Sequence, residues 1–105
     1  MRRLPIAAAL LLAFAVPAAA EWTKDQRTRF VASCMEGCQS TPDMSAKGRA
    51  ACPVACACLA DQGEKMMTPA DYDEADKAAE NNKMTPKIEA LAKYFPACAT
   101  QALGQ

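Results

Sequence analysis

The chain of 105 residues contains no histidine. That absence excludes Ser-His-Asp and Cys-His catalysis, histidine-ligated zinc and ordinary haem ligation. Aromatic residues are scarce: three Phe, two Tyr and one Trp. No basic stripe runs between them, so nucleic-acid binding has no footing. Val, Ile and Thr are sparse, and no segment alternates apolar and polar residues in the manner of a strand. After the first twenty residues there is no second long hydrophobic run. The length allows one domain with a small core and excludes a multidomain enzyme or a doubly wound sheet.

The one long apolar run stands at the start. Arg2 and Arg3 precede Ile6 to Val16, Pro17 ends the run, and Ala18-Ala19-Ala20 supplies the small residues that a signal peptidase needs. This is the plan of a secretory signal. It is shorter than the ~20 residues of a membrane span. The sequence therefore predicts a signal peptide over 1–20, cleavage after Ala20 and a single domain over 21–105, with no membrane span once the signal is removed. Removal takes two arginines and no acid, leaving ten bases against twelve acids and a formal charge of −2.

What is abundant is cysteine and helix-forming residues. Ala, Lys, Glu, Gln and Met dominate the remaining chain, which predicts an all-α fold. Thr23 and Gln26 have capping-box spacing for a first helix, on which Phe30, Val31, Cys34 and Cys38 share a stripe. A turn at Gln39–Asp43 leads to a second helix from about Ser45 to Gln62. Gly63 stands as its stop, and Pro53 should kink it or delay its regular part to Cys52. Met67-Thr68-Pro69 and Met84-Thr85-Pro86 repeat a helix start, Thr at the cap and Pro at the first position. They predict a third helix from Pro69 to about Glu80 and a fourth from Pro86 to Tyr94. The fourth breaks at Pro96 and continues as a tail to Leu103, with Ile88, Leu91, Phe95, Cys98 and Ala102 as its apolar stripe.

All six cysteines (Cys34, Cys38, Cys52, Cys56, Cys58 and Cys98) follow the signal segment, an even count that reads as a disulfide framework in an oxidising compartment. A domain this small needs such staples. Residues four apart share one face of a helix, so Cys34/Cys38 and Cys52/Cys56 can form two rungs between antiparallel helices. Those rungs are Cys34–Cys56 and Cys38–Cys52. Cys58 points about 200° away from Cys56 at ~100° per residue and leaves Cys98 as its partner. Six cysteines allow fifteen pairings; face geometry favours this one among them.

The Cys34/Cys38…Cys52/Cys56 arrangement resembles the twin CX3C helical hairpin of small mitochondrial import chaperones and plant α-hairpinin peptides. The resemblance covers Cys34 to Cys56 and implies a stapled hairpin without transferring function. Phe30, Cys34, Cys56, Cys58 and Cys98 also make the wider chain similar to small secreted proteobacterial Cys-rich proteins of unknown role. Cys38 and Cys52 look like an added rung.

The expected architecture is thus a disulfide-stapled helical hairpin plus two short helices, a small four-helix domain. The expected role is a periplasmic or secreted binding or structural module with no cofactor and no catalytic residue. Its partner is an unknown protein or envelope component. The competing reading is soft-metal or redox chemistry. Six thiols with Met35, Met44, Met66, Met67 and Met84 suit copper(I), and Cys56-Ala57-Cys58 could form an oxidising Cys-x-Cys disulfide. Asp71, Asp73, Glu74, Asp76 and Glu80 make an acidic patch on the third helix. It reads as a solvated face, with a basic partner or weak Ca²⁺ binding as the alternatives. Trp22, just ahead of the first cap, either packs back as part of a hydrophobic staple or stands exposed as an anchor.

Overall fold

Hydroxyl side chains set where four of the helices begin. The computed structural model describes residues 21–104; the expected signal segment and its cleavage point lie outside the described residues. Helix α1 spans Lys24–Gln39, α2 Ala46–Met66, α3 Pro69–Glu80, α4 Pro86–Ala92 and α5 Phe95–Leu103. At α1, Thr23 Oγ1 accepts from the Gln26 N–H at 3.0 Å, and Gln26 Oε1 accepts from the Thr23 N–H at 2.9 Å. Thr68 and Asp71 repeat this reciprocal box at α3. Ser45 caps α2 and Thr85 caps α4. Such caps are each worth ~1 kcal/mol, because the first-turn N–H groups otherwise have no partner.

The chain ends its helices by different means. After α3, Asn82 adopts a left-handed φ of 59°. The Lys83 N–H then reaches the Ala78 carbonyl and the Asn82 N–H the Ala79 carbonyl, each at 3.0 Å. This is a Schellman turn, with asparagine where glycine is usual. The expected fourth helix breaks at Lys93–Tyr94, ahead of Pro96, and its tail is itself the helix α5. Pro96 sits in the first turn of α5, where a missing N–H costs nothing.

Pro53 lies inside α2 without delaying it: the helix runs unbroken from Ala46. A proline cannot donate to the carbonyl four residues back, here that of Arg49. The Gln39 amide at the end of α1 donates to that carbonyl instead, at 3.1 Å. The Arg49 guanidinium returns a hydrogen bond to the Gln39 carbonyl. The vacancy left by Pro53 therefore ties the two helices together at the tip of the hairpin.

Gly63 does not stop α2, which continues one turn to Met66. It is instead the seat of Trp22. A Cβ at Gly63 would stand 2.6 Å from Trp22 Cη2 and 2.8 Å from Cζ2. Trp22 is 6% exposed, and its indole N–H donates to the Met67 carbonyl at 3.0 Å. Its ring lies 5.2 Å from that of Phe30 and 5.0 Å from that of Tyr72, both tilted. It therefore packs inward, but not as a staple, since the fourth residue of α1 is Arg27. Around it close Leu59, Ala60, Met67, Tyr72, Ala75, Leu91 and Cys98, the main core.

Glycine at these positions yields opposed expectations. Gly63→Ala should destabilise the protein by roughly 2–3 kcal/mol despite alanine's better helix propensity, because the seated indole has nowhere to move. Gly37→Ala, in α1 with nothing within 4 Å of the new methyl, should stabilise it by up to ~1 kcal/mol. Urea midpoints of the two variants against the parent check both signs.

Candidate functional site

The cysteines form the frame on which any site is built. Cys34 of α1 is bonded to Cys56 of α2 and Cys38 to Cys52, with Cα separations of 5.8 and 6.0 Å. The reversed order along the two helices makes them antiparallel. Cys52 and Cys56 are wholly buried. Cys58 bonds Cys98 of α5, with Cα atoms 5.6 Å apart. Cys56 and Cys58 thus serve different neighbours, and Cys56-Ala57-Cys58 is not brought together as a disulfide. No described cysteine is free. Thiolate chemistry, whether with copper or with a disulfide substrate, would first require reducing a bridge.

The methionines do not gather either. Met67 is 2% exposed in the main core, with Met66 packed beside it. Met35 and Met44 pack on the Cys38–Cys52–Cys56 cluster, and Met84 is exposed. Among the described residues, no group of three or more acidic, cysteine or histidine side chains is arranged to hold a metal ion.

The acidic row of α3 is largely engaged within the chain. Asp71 caps its own helix and accepts from Lys87 Nζ at 2.7 Å. Asp73 accepts from the Gln26 amide at 3.0 Å, and the same amide donates to the Pro69 carbonyl at 3.0 Å. Asp76 pairs with Arg29 of α1 at 2.9 Å. Glu74 and Glu80 are exposed. The row therefore docks α3 onto α1 and α4. Its chemistry is that of an inter-helix seam more than of a calcium loop.

That docking leaves a groove. Phe30 and Ser33 of α1, Tyr72, Ala75, Asp76 and Ala79 of α3 and Ile88 of α4 enclose about 150 Å³. Most of its lining is apolar, with Ser33 and Asp76 as polar residues. The Arg29 guanidinium lies 5.6 Å from the Tyr72 ring centre while paired to Asp76, itself a lining residue. A second groove of about 230 Å³ runs along the α2–α5 seam, lined by Lys47, Ala50, Ala51, Val54, Ala102 and Leu103. No helix among the described residues is long and apolar enough to cross a membrane.

Of the residues that shape these grooves, the sequence marks only Asp76 as a candidate, through the acidic patch. Phe30 stands on a helix stripe and in the resemblance to small secreted Cys-rich proteins, and Tyr72 carries no sequence signal of its own. The available signal was the i, i+3, i+4, i+7 set Tyr72, Ala75, Asp76 and Ala79, which marks one face of α3. No protein-family model, curated protein or solved structure matches the chain.

Burial pushes the Tyr72 hydroxyl above its ordinary range, and the nearby Asp76 carboxylate adds to this. The bond from Lys87 and the backbone bond from Thr68 pull the Asp71 carboxyl below its own. For Tyr72 the raised value means stability present below about pH 10 and lost as pH climbs through the folded value. For Asp71 the lowered value means stability present above the unfolded carboxylate range and lost as pH falls through the folded value. Tyr72→Phe should therefore flatten the alkaline limb of a stability–pH profile, and Lys87→Met should shrink the acid limb, both read from urea midpoints.

The three bridges should also be unequal. Cys58–Cys98 spans 40 residues and is nested in no other loop, so Cys58→Ala with Cys98→Ala should cost about 4 kcal/mol. Cys38–Cys52 spans 14 residues inside the Cys34–Cys56 loop, so its removal should cost less than about 3 kcal/mol. Denaturant melts of the two double variants measure the order.

Proposed function

We propose that this protein is a non-catalytic, disulfide-stapled helical binding module of the periplasm or of the secreted space. It takes an apolar side chain of a partner protein or envelope component in the groove between α1 and α3. The observation that carries this reading is the groove itself: an apolar floor of Phe30, Tyr72, Ala75 and Ile88 beside the paired charges Arg29 and Asp76. A floor of this kind with a polar edge is the anatomy of a recognition surface. At about 150 Å³ it is smaller than the ~300–1,000 Å³ of small-molecule pockets and suits one side chain.

Burying one such side chain contributes roughly 1.5–3 kcal/mol, so a partner must add contacts around the groove to bind usefully. A frame locked before the encounter lowers the ordering cost of those contacts. The oxidising compartment is supported by the signal-like segment over 1–20 and by the use of every described cysteine in an intrachain bridge. The likeness to twin CX3C hairpins and to small secreted proteobacterial proteins points the same way, without naming a partner.

Titration of the ¹⁵N-labelled protein with N-acetyl-leucinamide and N-acetyl-phenylalaninamide tests the groove. Amide shifts should cluster at Phe30, Ser33, Ala75, Ala79 and Ile88, with dissociation in the millimolar range, and vanish in Ala79→Trp. Shifts scattered over the surface, or binding unchanged by Ala79→Trp, would overturn the site. Mass spectrometry of the exported protein without reductant should show a chain starting at Glu21 and six hydrogens lighter than its reduced form. A chain retaining residues 1–20, or carrying free thiols, would overturn the compartment.

A further inference from the structure

The three bridges are not equally protected. Cys52 and Cys56 are wholly buried, and Cys34 packs on both apolar clusters. Cys58 is half-buried and packs on the main core alone. Its Sγ lies 3.7 Å from the amide oxygen of the exposed Gln101, a contact at the surface. A thiolate in solvent therefore has a path to this sulfur.

Helix α5 is held to α2 by that bridge and by little else. Of its nine residues only Cys98 and Ala102 are buried. Phe95 and Ala99 are half-buried, and Leu103 is 41% exposed. Among the described residues, no ion pair joins α5 to another helix. Its joint with α4 is the exposed pair Lys93–Tyr94, whereas α4 is anchored in the core by Leu91. Yet this weakly held helix lies over the Cys38–Cys52 rung. Phe95 packs on the Cys38–Cys52–Cys56 cluster. Phe95, Ala99 and Leu103 also close, with Cys38 and Cys52, a cavity of about 70 Å³. That space admits water but not a dithiol.

From this arrangement we infer that Cys58–Cys98 is a redox latch: a dithiol reductant opens it first, and its opening frees α5 to lift from the Cys38–Cys52 rung. One thiolate of the dithiol attacks Cys58 Sγ, forms a mixed disulfide there and expels the Cys98 thiolate, which takes a proton from water. The second sulfur of the dithiol, as thiolate, then attacks the first and expels the Cys58 thiolate, which is protonated in turn. The dithiol leaves as a cyclic disulfide, oxidised by two electrons, and the bridge is reduced by the same two. The new Cys58 thiol has an acceptor in Gln101 Oε1. With the bond gone, α5 pivots at Lys93–Tyr94 while Leu91 keeps α4 in place. Short elements with few buried contacts open before the whole fold does. The latch uses no residue of the α1–α3 groove and does not depend on that site.

Timed reduction of the exported, disulfide-intact protein by dithiothreitol tests it, with thiols trapped by N-ethylmaleimide and mapped by mass spectrometry. The first doubly labelled species should carry its labels on Cys58 and Cys98. Labels on Cys38 and Cys52 should appear only in molecules already labelled at Cys58 and Cys98. In the variant Cys58→Ala with Cys98→Ala, the Cys38–Cys52 bond should open roughly tenfold faster than in the parent, or more. That rate should hardly change below about 1 M urea, because release of one short helix exposes little surface. First labelling at another bridge, or labelling of all six cysteines together, would overturn the inference. So would labels on Cys38 and Cys52 while Cys58–Cys98 is intact, or a Cys38–Cys52 bond that opens no faster in the variant. A rate in the variant that climbs steeply with urea would overturn it too, since global unfolding would then be the route.

Discussion

Trp22 resting on Gly63 joins α1, α2 and α3 in the main core. The indole comes from the residue before the first cap, so its position is inherited from Thr23 and Gln26, which hold the start of α1. Its N–H is bonded to the carbonyl of Met67, the residue that ends α2. Its faces meet Phe30 and Tyr72, which belong to α1 and α3. The notch at Gly63 also admits Leu91 of α4, which would stand 3.2 Å from a Cβ there. A buried indole with its one donor satisfied combines large apolar area with a fixed orientation. Here that orientation determines how α3 and α4 return across the hairpin, and hence where the α1–α3 groove opens.

The opposite end of the hairpin is held by different chemistry. Near the α1–α2 turn the core is thin: the second cluster is Cys38, Cys52 and Cys56 with half-buried neighbours. Sulfur bridges supply there what apolar burial cannot, and the Gln39–Arg49 exchange closes the tip. The protein is thus packed around Trp22, with one bridge, and held toward the hairpin tip by the other two. This division suits a short chain, in which one hydrophobic core yields only a few kcal/mol. It also makes Pro53 tolerable, because the carbonyl it leaves unpaired lies within reach of the neighbouring helix.

Local chemistry and the helical angles of the cysteines are legible in the sequence; the non-covalent contacts made at a distance are not. Thr68-Pro69 and Thr85-Pro86 mark the starts of α3 and α4 because cap and first turn involve neighbours only. The divergence of Cys56 from Cys58 needs only the helical angle. Gly63 has the sequence signal of a stop, because the local signal of a glycine is conformational freedom. Its actual use, leaving room for an indole 41 residues earlier in the chain, has no local trace. Pro96 has the signal of a break, but proline is as comfortable in a first turn, and Tyr94 passes directly from one helix to the next. The grooves were beyond sequence reading altogether. Their walls come from two or three helices whose relative placement is set by Trp22 and Cys58–Cys98.

The α1–α3 groove and helix α2 differ in how the frame supports them. The α1–α3 groove lies between elements joined by side-chain contacts: Gln26 to Pro69 and Asp73, Arg29 to Asp76, Tyr72 beneath. It can widen by loosening exposed ion pairs, which individually contribute little. Helix α2 is by contrast bonded to α1 at two points and to α5 at a third. The groove whose walls can part is accordingly the better place to accept a foreign side chain.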